Sequence, residues 1–216
     1  QLHHELGEFL ARVTRGLRGF FHPAAGHVLQ WDIKQAARLR PMLETVQDPD
    51  LRKRLTATLD RFDAEIAPRL SMLRAQVVHN DFNPHNVLVD GQVGTHPIGL
   101  IDFGDIVHTP IICDLAVACS YQIGEGSDPL RQMCDMIRGY ASLLPLEPEE
   151  ITLLPDLIRL RHATTLAIGA SRAQRYPENA DYILRNTAAS LRGMNALDQI
   201  GDDAALRALH TAAGTE

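Results

Sequence analysis

The order of hydrophobic periods predicts an α+β fold, a mostly helical body with one small β island near its middle. Apolar residues recur at helical spacing from Leu2 to Leu70. The spacing then shortens to brief β-branched runs between Gln76 and Ile101, and helical spacing resumes after Thr109-Pro110. No internal repeat or low-complexity linker divides the chain. Residues 1–216 therefore read as one body, with residues 76–105 as an island inside it.

Each element has its own signal. Leu2, Leu6, Phe9, Leu10, Val13 and Leu17 share one face of a first helix, which Gly16 and Gly19 end. Phe20 to Val28 reads as a loop, and Ile33 to Val46 as a second amphipathic helix. Asp48-Pro49 is an N-cap and first-turn pair. It opens a long helix whose stripe is Leu51, Leu55, Leu59, Phe62, Ile66 and Leu70. The island contains three strand-like runs, 76–78, 86–89 and 98–101, with Asp90-Gly91 as a turn signal between the last two. Helices are predicted near 111–123, 129–143, 148–175 and 180–197, broken by Pro145, Pro148 and Pro177; the Ala-rich tail from Gly201 reads as frayed.

The 216 residues are 45% hydrophobic and carry a net charge of −6, enough chain for a sizeable core and no basic field for nucleic acid. No stretch reaches the roughly 18 uninterrupted apolar residues of a membrane span. Cys113, Cys119 and Cys134 form no CxxC pair, which fits a reducing compartment. A cytoplasmic protein with no nucleic-acid or membrane partner is the expectation.

A β island in a helical body needs a reason, and its motifs supply one. His79-Asn80-Asp81-Phe82-Asn83-Pro84-His85-Asn86 has the H-x-D-x-x-x-x-N spacing of a phosphoryl-transfer loop. Twenty-one positions beyond Asp81, after an apolar strand, comes Asp102-Phe103-Gly104. The intervening hairpin brings the two segments side by side. Phosphoryl transfer requires an aligned hydroxyl and metal ions on the phosphates. Asp81 would take or orient the hydroxyl proton as general base. Asn86 and Asp102 would offer oxygens to Mg²⁺, a hard cation that suits such ligands. As plain turn caps, Asp81 and Asp102 would need neither Asn86 nor the Phe-Gly pair. Asp105 is either a second carboxylate on the metal side or a cap for the next segment.

The runs HNDFNPHNVLVD and GLIDFGD resemble the aminoglycoside phosphotransferase-like kinases, which include choline, homoserine and hydroxylysine kinases. Residues 101–110 followed by Cys113-Asp114-Leu115-Ala116 are similar to the hydroxylysine-kinase-like branch, often fused to a class III aminotransferase. The resemblance is strong in the middle of the chain and weaker over its helical flanks. It implies the mostly helical C-terminal lobe of a protein-kinase-like fold, ATP as donor, Mg²⁺ as cofactor and a small hydroxylated amine or amino acid as acceptor. Hydroxylysine-like acceptors come first, ahead of aminoglycosides, choline and homoserine. It implies Asp81 as base, Asn86 and Asp102 as metal ligands, and Asp114 as a support for the catalytic loop's backbone. The segment 171–179 also resembles that branch.

Two departures matter. Asn80 stands where the family commonly has glycine, a change that asparagine's tolerance of left-handed backbone allows. Of the two lysines, Lys34 and Lys53, neither follows a strand or a glycine-rich loop, so neither is assigned to the nucleotide. The N-terminal lobe is therefore expected to be absent here, trimmed or lost, and this chain alone to bind ATP poorly.

The remaining residues divide into sharp and bland readings. His79, His85, His96 and His108 match no zinc spacing, and His79 reads as loop-orienting. Arg159, Arg161, His162, Ser171, Arg172 and Arg175 share one long helix. Arg159, His162 and Arg172 are its candidate acceptor-binding residues, against an ordinary exposed stripe. Trp31 reads as core packing, and Tyr121 as core or pocket wall. No Ala-Pro-Glu segment follows Asp102, which favours a small-molecule acceptor over a protein. The alternatives are a non-catalytic kinase-like module that docks to a fused or partner enzyme and, more distantly, a metal-dependent hydrolase.

Overall fold

The computed structural model describes residues 1–91 and 96–215. Helix α1 (Leu2–Gly16) opens the chain and packs closely on α5 (Arg131–Leu143). Glycine makes that crossing possible. A Cβ on Gly7 would lie 1.9 Å from the Met136 carbonyl oxygen, and one on Gly139 1.9 Å from that of His4.

The segment expected as an amphipathic α-helix, Ile33–Thr45, is instead a 3₁₀ helix. Its sequence explains the tighter winding. Ile33, Ala36 and Leu39 recur every three residues on the buried side, which matches three residues per turn, and Pro41 removes a donor in mid-helix. Asp48 caps α2 (Pro49–Arg61) as predicted, its Oδ1 accepting the N–H groups of Asp50 and Leu51 at 2.9 and 3.2 Å. A π turn (Phe62–Ile66) and the short α3 (Ala67–Leu70) continue the stripe.

The island consists of two antiparallel ribbons rather than one sheet. Strand β1 (Ala75–Val78) pairs with β4 (Val107–Pro110), placing Ala75 opposite Pro110 and Val78 opposite Val107. Strand β2 (Val87–Val89) pairs with β3 (Pro97–Leu100), placing Val87 opposite Leu100, with a register shift at Leu88/Val89. The Asp90-Gly91 turn signal falls at the end of β2, and the rest of that connection lies outside the described residues. The sequence reading predicts no strand at β4, although Ile106, Val107 and Thr109 are β-branched; Val-His-Thr-Pro leads straight into α4 (Ile111–Ser120).

Helix α6 (Pro148–Arg175) is the axis of the body, packing against the 3₁₀ segment, α4 and α8 (Thr187–Ile200). A helix predicted over 180–197 is broken: α7 (Ala180–Ile183) and a 3₁₀ turn (Leu184–Asn186) precede α8. The tail is not frayed. Helix α9 (Asp202–Ala213) docks on α5 with Ala205 and Leu209 fully buried. Among the described residues, no helix is long and apolar enough to cross a membrane.

Candidate active site

Chain topology brings the two motifs together. The first loop, residues 79–86, leaves β1 and enters β2; the second, residues 101–106, leaves β3 and enters β4. Because β2 pairs with β3 and β1 with β4, both loops cross the same gap between ribbons, side by side.

His79 ties them to each other. Its fully buried ring has Nε2 3.1 Å from the Ile101 carbonyl oxygen, while Nδ1 accepts the Asp81 N–H at 3.3 Å. The two bonds together require the Nε2–H tautomer. The Phe103 ring meets it edge-on, with centroids 4.9 Å apart. The non-glycine residues with positive φ among those described are Asn80 (64°) and Asp102 (62°), one in each loop. Such backbone persists only where its surroundings hold it. At Asn80 the holder is Asp114, whose Oδ1 accepts the Asn80 N–H at 2.8 Å. Burial pushes the Asp114 carboxyl up to about 6, against the lowering effect of the N–H groups it faces. Its second oxygen is buried without a hydrogen-bond partner.

Asp81 is fixed on both oxygens. Oδ1 accepts from Arg161 Nη2 at 3.1 Å, and Oδ2 accepts from Asn83 Nδ2 and Asn86 Nδ2, each at 2.8 Å. The Asn86 amide nitrogen also donates to the Asp81 carbonyl at 2.9 Å. With its nitrogen committed to Asp81, the amide oxygen of Asn86 is the atom left for a cation. Asp102 Oδ1 takes a long bond from the Gly104 N–H at 3.3 Å and is otherwise open to solvent. Asp105 is half-buried in the cleft, its pKa raised first by burial and then by the Asp81 carboxylate. Among the described residues, no three His, Cys, Asp or Glu side chains cluster closely enough to hold a metal. The donor set is an amide oxygen and separate carboxylates. It fits a hard cation whose shell is completed by phosphate oxygens and water, as Mg²⁺ prefers.

Asp81 opens into a cavity of about 540 Å³. Its floor is one face of α6, where Arg161, Thr165, Ile168, Gly169 and Arg172 follow helical spacing. Trp31, Asp105, Tyr121, Tyr176, Glu178 and Tyr182 line its walls. Tyr121 is thus pocket wall as well as partly packed on the core. Trp31, expected in core packing, is partly packed on the core and also carries the Arg161 guanidinium 5.2 Å from its ring centroid.

The long helix sorts its arginines differently from the sequence reading. Arg172 lines the cavity, but Arg159 and His162 do not. Arg159 lies about 200° around the helix from Arg161, where it meets Asp156, Asp198 and Asp202 at 2.9–3.3 Å. His162 is buried against α8, so close that a Cβ on Gly193 would lie 2.3 Å from its Nε2. Burial, reinforced by Arg161 and Arg159, lowers its pKa to about 3. Neither lines this cavity. The residue the sequence reading passed over is Arg161. Its signal was the eleven-residue interval to Arg172, three helical turns that put both on one face. Lys34 donates to the His108 carbonyl at 2.5 Å and lies 3.5 Å from Asp32. Lys53 is exposed on α2.

Two loops facing one gap, with a helical body below, define the kinase-like phosphotransferase fold. Solved structures share it: the microcompartment-associated aminopropanol kinase superposes with a TM-score of 0.57 at 20% identity, covering 95% of this chain and 64% of that one. Choline kinase from Cryptosporidium parvum Iowa II also gives 0.57 at 15% identity, covering 96% and 68%. The chain belongs to the phosphotransferase enzyme family, APH, whose family model matches residues 1–146. It is similar to hydroxylysine kinase of Mus musculus, 26% identical over 211 residues, and to that of Danio rerio, 26% identical over 210 residues. The matches take in 93% and 94% of this chain but 56% and 59% of those relatives, so the chain spans little more than half their length.

Proposed function

We propose that this chain is the catalytic and acceptor-binding lobe of an ATP-dependent small-molecule kinase that phosphorylates a hydroxyl of a small amine or amino acid, hydroxylysine-like acceptors first. One observation carries the reading: the Asp81 carboxylate is held on both oxygens by N–H donors where the two loops meet the cavity. The similarity to hydroxylysine kinases supports the acceptor class. A further neighbour, the amicoumacin kinase hAmiN, was solved with AMP-PNP and Ca²⁺, which supports a nucleotide donor and a divalent cation.

The chain's residues divide the work as follows. Asp81 orients the acceptor hydroxyl and receives its proton as the oxygen bonds to the γ-phosphorus and the bond to ADP breaks. Arg161, Asn83 and Asn86 hold that carboxylate in one orientation, so little reorganisation accompanies transfer. Asn86 and Asp102 would hold Mg²⁺, with Asp105 as a possible second carboxylate; the ion when bound neutralises phosphate charge. His79 and Asp114 keep the loops at fixed spacing. Leu88, Val89, Ile98 and Phe103, exposed around the hairpin, offer apolar surface to a base beside Asp102.

The test is ADP release by the full-length protein against hydroxylysine, aminoglycosides, choline and homoserine. Asp81→Asn is expected to lower turnover at least about 100-fold; circular dichroism should keep its helical shape, while the melting temperature falls because the buried Arg161 loses its counter-charge. Full turnover in that variant removes Asp81 from the base role. Failure to release ADP with every acceptor favours a non-catalytic docking module.

A further inference from the structure

We infer that the acceptor carries a carboxylate as well as a hydroxyl, and that Arg172 is the residue that binds it and so selects amino acids over simple amino alcohols. The inference rests on the kinase reading of the same cleft, because it takes Asp81 as the hydroxyl end.

The argument starts from the charges that line the cavity: Asp81, Asp105, Glu178, Arg161, Arg172 and Arg185. Arg161 is committed to Asp81 at 3.1 Å and to the Trp31 carbonyl at 3.2 Å. Arg185 lies flat on Tyr182, 3.9 Å from its ring centroid, and donates to the Tyr182 carbonyl at 3.1 Å. Arg172 has neither kind of partner among the described residues, although Glu178 lines the same cavity. It is the cation in this cavity that no protein group satisfies. Its planar guanidinium has the geometry for a carboxylate and accepts it through two parallel hydrogen bonds.

Position completes the case. Arg161 and Arg172 lie eleven residues apart on one face of α6, about 16 Å along its axis. Thr165, Ile168 and Gly169 lie between them as the cavity floor. A side chain as long as arginine's, reaching back along the helix, shortens that span toward the length of an extended amino acid. Glu178, also unpaired among the described residues and lining the same cavity six residues after Arg172, offers negative charge to the α-ammonium that accompanies such a carboxylate. Asp105 supplies negative charge beside Asp81, suited to an amine near the hydroxyl. An acceptor without a carboxylate leaves Arg172 unused.

Two probes differing in one group test this. Calorimetry on the full-length protein compares 5-hydroxylysine with 1,5-diaminopentan-2-ol, its decarboxylated counterpart. Hydroxylysine is expected to bind at least about tenfold more tightly, in keeping with a charge-assisted bidentate pair. Arg172→Gln should erase that preference while leaving diamine affinity unchanged, and Arg172→Lys should restore part of it. Arg172 is exposed, so folding should survive, and a melting curve verifies it. Equal affinities in the wild type, no binding of hydroxylysine, or a preference untouched by Arg172→Gln each overturn the inference. ADP release is read separately in the full-length protein. Carboxylate-dependent binding without transfer would sink the kinase reading and leave Arg172 in place; transfer that ignores the carboxylate would do the reverse.

Discussion

Arg159 and Arg161 sit two residues apart on one helix and meet opposite fates. On the Arg159 face, Arg54, Arg61 and Arg159 interleave with Asp156, Asp198 and Asp202, and every charge has a partner. A cavity of about 290 Å³ lies there, lined by those same pairs. On the Arg161 face, one pair is closed and Asp105, Arg172 and Glu178 remain unpaired around a larger cavity. Both faces are rich in arginine and aspartate, so composition does not separate them. Satisfaction does. A network whose charges cancel is a brace between helices, whereas charges held open around a cavity await a ligand.

The most severe break of that contrast is at Arg161. Its side chain is 3% exposed and its partner Asp81 20% exposed, so truncation strands a carboxylate in a partly dry site. Arg161→Ala is expected to cost about 3 kcal/mol of stability. It should lower kcat on the order of 100-fold with nucleotide KM unchanged, because Arg161 positions Asp81 and does not touch phosphate. Arg161→Lys should recover part of kcat. Steady-state ADP release and urea unfolding measure the two effects. Unaltered kcat in Arg161→Ala would mean that the orientation of Asp81 does not matter, and the cleft face would lose its claim.

Next in size is a pH effect at Asp114. Its carboxyl is raised from 3.8 to about 6, chiefly by burial, so between those values the folded chain holds a proton that the unfolded chain releases. That contribution is complete below pH about 4 and is lost as pH rises through about 6, an effect of about 3 kcal/mol at most. His162 acts in the opposite sense: lowered from 6.5 to about 3, it withdraws stability as pH falls through that range. Asp114→Asn should remove the first dependence and leave the second, so its melting temperature relative to wild type should improve as pH rises from 4 to 7. A difference independent of pH would show that the Asp114 carboxyl titrates normally.

Much of this was legible beforehand, for identifiable reasons. The period change from helix to strand announced the island, and Asp48-Pro49 announced the start of α2, because a cap and a stripe are local chemistry. The two phased motifs were readable because they are contiguous in sequence and the hairpin between them is short. The 3₁₀ winding of Ile33–Thr45 was hidden in a spacing of three against four, with Pro41 as the clue. Strand β4 was missed although Ile106, Val107 and Thr109 are β-branched, because the run is brief, ends at Pro110 and pairs with β1 some thirty residues away. Arg159 and His162 could not be told apart from Arg172, which lines the cavity, for a similar reason. Six polar residues on one helix carry no label of the face they occupy until a neighbour is known. Asp81 names that neighbour, through Arg161.

The smallest expected effect sharpens the comparison most. Arg159 holds three carboxylates, but Asp198 and Asp202 are 46% and 52% exposed, and Arg61 still serves Asp156 and Asp202 when Arg159 is gone. Arg159→Ala should therefore cost only about 1 kcal/mol, and the cost should shrink in 1 M salt, where the screening length falls to about 3 Å. Turnover per folded molecule should not change, since no atom of that network reaches the cavity. The two arginines share a helix turn, so any disturbance of α6 itself would be felt at both. Equal losses of turnover in Arg159→Ala and Arg161→Ala would show that the faces act as one unit through the helix. Loss at Arg161 alone would show that the helix separates a brace from a site by rotation.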